Sequence, residues 1–322
     1  MRKKMIRMLV MMLSLVLLVG VIAACDQEEK TDPTGTGKKE YNIGYLVWSM
    51  AEEFHVDVYE GAKAKADEIG GIHLIAPDPA GDMQKEISLI EDMIQAEVDA
   101  LIIAPVDADA IVPYIKQVRD AGIPVINYDI DVEAEVNAKC LSNNDEGGAI
   151  ACEYLIEKMG KEGKILILSD VPGVATSQER IDGFLKRLAE IAPNVEVIDQ
   201  LSSGTRDTHR STTENMLQAH PDITGIFCFM GDNTLGAYVA CKSNNRQDVL
   251  IAGYDATPEQ LEIMKNDGPE SNLICSIAQY PRLIGSITVD VAYRVLQGEK
   301  FTDIVYTDVG LVTAENVDSF EE

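Results

Sequence analysis

Short apolar runs alternate with longer segments of helical periodicity along most of this chain. Residues 43–48 and 100–104 are apolar runs without polar alternation, which is typical of strands buried on both faces of a parallel sheet. Between them, residues 56–69 and 83–96 carry apolar side chains at the spacing of a helix with one buried face. This alternation of strand and helix predicts a parallel sheet covered by helices on both sides.

The same pattern starts again after residue 141. Further buried strands are predicted at residues 164–168, 195–198, 225–229, 249–253 and 273–278, with a helix in each connection. The predicted fold is therefore α/β, with two similar doubly wound parallel-sheet lobes joined by a hinge. We expect an N-terminal lobe of residues 41–143 plus 279–308 and a C-terminal lobe of residues 144–278 plus 309–322.

Polar residues follow two of the predicted strands. Asp255 comes after strand 249–253 and Gln279 after strand 273–278, and each precedes a proline that fits the first turn of a helix. Because ligands of open α/β sheets bind beyond the carboxyl ends of the strands, both residues are candidates for ligand binding. The alternative is that Asp255 caps the next helix and Gln279 is a turn residue.

The first 24 residues have the features of a secretory signal peptide. A basic start is followed by an apolar stretch and by small residues before Cys25. This ending resembles the lipobox of bacterial lipoproteins, which implies lipidation of Cys25; a transmembrane anchor is the alternative, although the stretch is short for one. Residues 25–40 are polar and contain proline and glycine, so we predict a flexible tether.

The composition is strongly acidic, with 54 Asp and Glu against 27 Lys and Arg and a formal net charge of −27. Such a surface repels phosphate backbones, which argues against binding of nucleic acid. It suits a soluble protein that is held close to a membrane without lying on it.

The cysteines and motifs point away from metal or enzyme chemistry. No C-x-x-C spacing occurs, so we expect buried thiols rather than a metal site, and one disulfide remains possible. The glycine and histidine motifs of dinucleotide-binding, hydrolase and zinc enzymes do not occur, so neither a cofactor nor an enzymatic activity is predicted. The cysteines beyond the tether are Cys140, Cys152, Cys228, Cys241 and Cys275.

A series of motifs carries a resemblance to a known family. In chain order they read IGYLVWSMAEEFHVDVYEGAKAKADEIG, APVDADAI, IPVINYDID, SQERIDGF, AHPDITGIF, NTLGAYVA, IAGYDATP and SIAQYP. Together they resemble the periplasmic sugar-binding proteins of the ribose and galactose type, which are the ligand receptors of ABC importers. The resemblance covers residues 41 to about 311 and implies the type I fold of these proteins, with the ligand held between two lobes joined by three crossovers.

The family's ligand-binding positions carry over to particular residues of this sequence. The resemblance implies a site that includes Phe54, His55, Asp129, Arg180, Asp255 and Gln279. The chain departs from the ribose-type pattern where that pattern has Asn at Glu52, Arg at Ile130 and Asn near Met230, which argues against ribose itself.

The types of these residues suit a sugar on physical grounds as well. Carboxylates accept hydroxyl protons, a guanidinium donates in a fixed fork, and an aromatic ring offers a flat partner for the C–H face of a sugar. Trp48, the only tryptophan, faces either the ligand or the packing beneath it, whereas Tyr128 and Tyr254 are predicted to lie in the core.

Acidic residues outnumber basic ones at the predicted strand ends. We therefore hypothesise a neutral, donor-rich ligand or an amino-bearing one rather than a sugar phosphate; the alternative is that an acidic protein has acidic loops everywhere. The acidic positions are Glu52, Asp129, Asp131, Asp232 and Asp255, against Arg180 and a second candidate cation, Arg206.

The function predicted from the sequence is capture of a small sugar or polyol and its delivery to an ABC permease. The protein is expected to be exported, monomeric and lipid-anchored to the outer face of the bacterial cytoplasmic membrane. Three alternatives remain open: a sensory receptor that signals to a kinase or chemoreceptor, a repressor of the lactose-repressor type, and an exported carbohydrate enzyme. A signal sequence stands where a repressor would carry its DNA-binding helices.

Overall fold

The computed structural model describes residues 39–170 and 174–320. The predicted signal peptide, Cys25 and almost all of the predicted tether lie outside these residues. Within the described part of the chain, no helix combines the length and the apolar character needed to cross a membrane.

Twelve strands occur in the described residues and form two six-stranded sheets. They are β1 (Tyr41–Leu46), β2 (Ile72–Ile75), β3 (Ala100–Ile103), β4 (Val125–Tyr128), β5 (Ala138–Ser142), β6 (Lys164–Ser169), β7 (Glu196–Leu201), β8 (Ile223–Cys228), β9 (Leu250–Tyr254), β10 (Leu273–Ala278), β11 (Val305–Thr307) and β12 (Gly310–Thr313).

The two sheets repeat one strand order. The first sheet runs β11-β5-β4-β3-β1-β2 and the second runs β12-β10-β9-β8-β6-β7. All paired strands of the first sheet are parallel, whereas β12 pairs antiparallel with β10 at the edge of the second sheet. The prediction of two similar doubly wound sheets is confirmed.

Nine α-helices connect these strands within the described residues. They are α1 (Glu53–Ile69), α2 (Met83–Gln95), α3 (Val112–Asp120), α4 (Asn144–Met159), α5 (Ala175–Ile191), α6 (Arg206–Ala219), α7 (Gly231–Ser243), α8 (Pro258–Asp267) and α9 (Pro281–Leu296).

The predicted helix boundaries differ most at α3. The apolar spacing of residues 108–121 predicts a helix that starts at Ala108. In the structure α3 begins at Val112. The carboxylate of Asp107 accepts hydrogen bonds from the backbone N–H groups of Asp109 and Ala110, at 3.0 and 2.9 Å. This local turn takes the place of the first helical turn, because such side-chain bonds compete with the helical ones.

The apolar residues of the central strands of both sheets are buried, as their apolar runs predict, whereas the edge strands leave Ile75 and Leu201 exposed. Tyr128 and Tyr254 are fully buried, which confirms their placement in the core. The five cysteines beyond the tether are free and buried, and burial raises the pKa of the Cys140 thiol to about 12. These thiols therefore pack as small apolar side chains.

Glycines allow two pairs of helices to pack unusually closely. In the first lobe, a Cβ atom on Gly285 of α9 would overlap the backbone carbonyl of Val58 in α1. In the second lobe, a Cβ atom on Gly183 of α5 would overlap the carbonyl of Asp145 in α4. The close contact of α4 with α5 fixes the start of α5, from which one of the predicted binding residues projects.

Candidate functional site

The carboxyl ends of both sheets carry the predicted polar residues. Asp255 follows β9 with a φ of 77°, and Asp129 follows β4 with a φ of 61°. A positive φ is uncommon for residues other than glycine, although aspartate tolerates it better than most. In both cases the chain turns sharply at the end of a strand.

The Asp255 carboxylate accepts hydrogen bonds from two different elements. Its Oδ2 accepts from the backbone N–H of Gly231 at the start of α7, at 2.8 Å, and its Oδ1 accepts from Gln279 Nε2 at 2.9 Å. Arg180 Nη1 lies 3.5 Å from Oδ1. Asp255 thus does not cap α8, the helix that follows it; its side chain instead joins α7 to two of the other predicted site residues.

Arg180 is held from several directions by neighbouring groups. Its Nε donates to Asn144 Oδ1 at 2.9 Å and its Nη1 donates to the carbonyl of Phe229 at 2.8 Å. The guanidinium lies 4.0 Å from the centre of the Tyr254 ring, a cation–π contact. Only 6% of Arg180 is exposed, so its position is fixed by these contacts.

Gln279 connects this group to the first sheet. Its Oε1 accepts a hydrogen bond of 2.8 Å from the hydroxyl of Ser142, the last residue of β5. Its Nε2 is the donor to Asp255 described above. We call Ser142, Asn144, Arg180, Asp255 and Gln279 the Arg180 cluster; it bridges the two sheets at the ends of their strands.

Asp129 lies next to this cluster. Burial raises the pKa of its carboxyl to about 6; the charge of Arg180 opposes this rise and the charge of Asp255 adds to it. Its backbone N–H donates to the carbonyl of Cys140 at 3.1 Å, while no hydrogen bond to its carboxylate is found among the described residues. Asp129 thus offers a partly buried carboxylate that accepts no hydrogen bond from the described residues.

Three predicted aromatic residues contact one another near the start of α1. The rings of Trp48 and His55 are nearly parallel with their centres 6.3 Å apart, and Phe54 meets His55 edge-on at 5.2 Å. The Trp48 ring also packs on Gly81, where a Cβ atom would come within 3.1 Å of it. Trp48 is therefore partly packed and partly accessible.

His55 is neutral at physiological pH. It is 7% exposed, and its Nδ1 has no hydrogen-bond partner in the described part of the chain. Burial lowers the pKa of the imidazole to about 4, against a smaller opposite effect of Glu52. The neutral imidazole ring can therefore form hydrogen bonds with a ligand but carries no charge.

Two predicted acidic residues lie at the surface. Glu52 precedes α1 and is exposed, and its side chain makes no capping hydrogen bond. Asp232 pairs with Arg206 at 3.0 Å, and Arg206 also binds Glu259 at 2.8 Å. Asp232 is thus part of a separate ionic group that includes no member of the Arg180 cluster.

Sequence reasoning missed Asn144 and Ser142. Both are buried and both bind a predicted site residue directly. Ser142 is the last residue of β5 and Asn144 comes two residues later, much as Gln279 comes directly after β10. The same search for polar residues at strand ends could therefore have found them.

The arrangement is suited to binding a small molecule with many polar groups. No group of three or more potential metal-ligating side chains occurs in residues 39–170 and 174–320. The Arg180 cluster brings a guanidinium and an amide within 3.5 Å of one carboxylate, that of Asp255. Asp129 adds a second carboxylate whose charge interacts with Arg180 and Asp255, and the aromatic rings lie near the start of α1. Such a set can exchange many hydrogen bonds with a small polyhydroxy molecule.

A shallow groove on the second lobe contains none of the predicted site residues. It runs along α8 and is lined by Pro258, Leu261, Glu262, Lys265, Asn266 and Phe320.

Comparison with known sequences finds a family match over most of the chain. A family described as periplasmic binding protein domain matches residues 43–300. The ribose import binding protein of Bacillus subtilis (strain 168) is 32% identical over 303 residues, which cover 93% of this chain and 97% of that protein.

Solved structures show the same fold. A periplasmic solute binding protein of an ABC transporter from Actinobacillus succinogenes 130z, with bound D-allose, superposes with a TM-score of 0.78 at 27% identity, covering 87% of this chain and 100% of that one. A solute binding protein of an ABC transporter from Bacillus halodurans C-125, with bound myo-inositol, superposes with a TM-score of 0.77 at 27% identity. The match covers 87% of this chain and 97% of that one. These relatives are binding proteins of transporters, which confirms the prediction of a binding protein rather than an enzyme.

Proposed function

Because this chain belongs to the family of periplasmic binding proteins, we propose that it captures a small sugar or polyol outside the cytoplasmic membrane and delivers it to an ABC importer. The observation that carries the proposal is the Arg180 cluster, which joins hydrogen-bonding groups of both sheets at their carboxyl ends. Relatives with bound D-allose and myo-inositol support a ligand rich in hydroxyl groups.

In the proposed site, Arg180, Asp129, Asp255 and Gln279 bind the hydroxyl groups of the ligand. Phe54, Trp48 and His55 form its aromatic wall, and Glu52 and Asp232 lie at the rim. We assign residues 41–143 plus 279–308 to one lobe and residues 144–278 plus 309–322 to the other. A ligand that contacts both lobes only in a closed form favours that form by its binding energy, and a hinge closure of this kind is the signal a permease can recognise.

A micromolar dissociation constant corresponds to roughly 8 kcal/mol. A few partly buried charge-assisted hydrogen bonds and one aromatic contact are enough for this value, since each such bond contributes about 1.5–3 kcal/mol. Most of the site is already held in place by its own hydrogen bonds, which lowers the entropy lost on binding.

The single tryptophan allows a direct test of ligand binding. Trp48 fluorescence is titrated with pentoses, hexoses and cyclitols, and we expect one class to shift the emission. Arg180→Ala and Asp255→Ala should abolish the shift while the circular dichroism spectrum stays that of a folded protein. The matched control is Arg187→Ala, because Arg187 lies on the same helix but binds Glu153 and Glu190 at the surface. Wild-type affinity in both site variants would show that the site is assigned wrongly.

Attachment through a lipid on Cys25 forms a separate part of the proposal. A lipid anchor keeps the receptor near its permease and so raises its effective concentration there. In a bacterial host, the wild-type protein should partition into the detergent phase and Cys25→Ser into the aqueous phase. Equal partition of the two proteins would contradict the anchor but leave ligand capture untouched.

A further inference from the structure

The proposed site contains more negative than positive charge among the described residues. The charges of Arg180 and Asp255 offset each other, since Nη1 and Oδ1 are 3.5 Å apart. The charge of Arg180 also acts on Asp129, but burial outweighs it and the charge of Asp255 opposes it, so no described cation pairs with Asp129 alone. His55 cannot supply one, because burial lowers the pKa of its ring to about 4 and keeps it neutral.

The residues near Asp129 in the chain supply no positive charge that would balance its carboxylate. The next residue, Ile130, is aliphatic, and its backbone carbonyl accepts a hydrogen bond of 2.9 Å from Asn127. The lysine closest to Asp129 along the chain, Lys139, forms a salt bridge with Asp131, with 2.6 Å between Nζ and Oδ1. Glu52 adds a further negative charge, which acts on the nearby His55.

A partly buried carboxylate without a partner costs free energy until a ligand supplies one. A hydroxyl group of a neutral sugar donates a single proton and leaves the charge uncompensated. An ammonium group donates three protons and also offsets the negative charge of the carboxylate. Its hydrogen bond to a carboxylate is therefore stronger than that of a hydroxyl group. A phosphate or an acid would instead be repelled.

We infer that the ligand is an amino sugar or an amino-cyclitol, and that the carboxylate of Asp129 binds its protonated amino group. This inference rests on the proposed function and names the ligand class of the same site. Arg180, Asp255 and Gln279 then bind the hydroxyl groups, for which their existing mutual hydrogen bonds already orient them.

Calorimetric titration at pH 7 tests the inference with paired probes. The probes are the amino-deoxy derivatives of ribose, allose and inositol, each compared with its neutral parent compound. We expect at least one amino derivative to bind about tenfold or more tightly than its parent, as an added charge-assisted hydrogen bond allows. If every parent binds as tightly as its amino derivative, the inference is wrong and the proposed function stands. If no probe of either kind binds, both are wrong.

Two variants show whether Asp129 is the cause of the preference. Asp129→Asn should reduce the ratio of amino to parent affinity to near one. Asp131→Asn is the matched control: it removes the same charge two residues away, where Lys139 already compensates it, and should keep the ratio. An equal fall in both variants would assign the preference to the overall acidity of the protein and overturn the inference.

A gain of charge gives an independent test. Ile130→Arg places a cation beside Asp129 and should lower the same ratio, while binding of the neutral parent stays measurable. An unchanged preference for the amino derivative in a folded Ile130→Arg protein would contradict the role of Asp129.

Discussion

Asp129 and Asp255 are equivalent residues of the two sheets. Each follows the fourth strand of its sheet in chain order, and each has a positive φ, of 61° and 77°. Each donates its backbone N–H to the carbonyl of a residue on the next strand: Asp129 to Cys140 at 3.1 Å and Asp255 to Ile277 at 2.7 Å. Their side chains differ in one respect: that of Asp255 is bound by protein donors, whereas that of Asp129 accepts no hydrogen bond within residues 39–170 and 174–320.

This difference predicts opposite effects of two matching substitutions on stability. Asp255→Asn removes a carboxylate that binds Gly231 and Gln279 and neutralises a partner of Arg180, and should cost about 2–3 kcal/mol of unfolding free energy. Asp129→Asn removes a carboxylate whose burial is uncompensated, and should stabilise the ligand-free protein by about 1–2 kcal/mol at pH 8. Thermal and urea unfolding without ligand measure both values.

The gain from Asp129→Asn should depend on pH. The pKa of Asp129 is raised from 3.8 to about 6 in the folded protein, so the folded state favours the protonated form. The penalty is therefore absent below about pH 3.8, grows between pH 4 and 6, and is complete above that range. A loss of stability in Asp129→Asn at pH 8 would show that the carboxylate has an unrecognised partner.

Asn144 should act by positioning Arg180. In Asn144→Ala the Nε of Arg180 loses its 2.9 Å acceptor, and the helix contact from Asn144 Nδ2 to Glu179 is lost as well. We expect ligand affinity to fall about tenfold, as for one lost hydrogen bond to a charged group. The control is Asn143→Ala, whose side chain makes no capping hydrogen bond to α4. Equal affinities of the two variants would contradict this role.

The close contact of α4 with α5 should be needed for both stability and binding. Gly183→Ala places a methyl group on the Asp145 carbonyl, which is backbone and cannot move aside, so the variant should lose about 2 kcal/mol or more and bind ligand weakly. In the control Gly225→Ala the new methyl group meets the flexible side chain of Met159, and the loss should stay below about 1 kcal/mol. Chemical unfolding and Trp48 titration measure the two effects; similar behaviour of both variants would refute the argument.

Glu86 should make stability fall as pH rises. It is fully buried, and burial raises the pKa of its carboxyl to about 7; its hydrogen bonds from Val106 oppose the rise and the charge of Asp107 adds to it. Both of its oxygens lie 3.2 Å from the Val106 backbone nitrogen. The folded state therefore favours protonated Glu86, and the penalty develops from its unfolded pKa of 4.5 up to pH 7.

Glu86→Gln keeps an acceptor for Val106 and removes the charge. At pH 8 it should be more stable than the wild type by about 2–3 kcal/mol, and at pH 4 the two should agree. Thermal unfolding across this range gives the difference, and a difference that does not change with pH would mean that Glu86 does not titrate as described.

Some elements could be read from the sequence because their patterns are local. Strand β10 has the predicted bounds, because residues 273–278 form a mostly apolar run in which every residue but Ile274 is buried. The start of α3 was misplaced, because a side-chain turn at Asp107 competes with apolar spacing. Asn144 was missed, because its importance comes from a partner 36 residues away.

By itself the sequence determined the repeated strand and helix units, the buried apolar core and the polar residues at strand ends, since hydrophobic periodicity and turn chemistry act between neighbours in the chain. Only the tertiary structure decided which of those polar residues meet, since Arg180, Asp255 and Gln279 come together through the packing of separate helices and strands. It also decided that the Asp255 carboxylate is bound by its neighbours while the Asp129 carboxylate accepts no hydrogen bond from the described residues. The reason is that the donors available to a carboxylate are distant in the chain and close only in space.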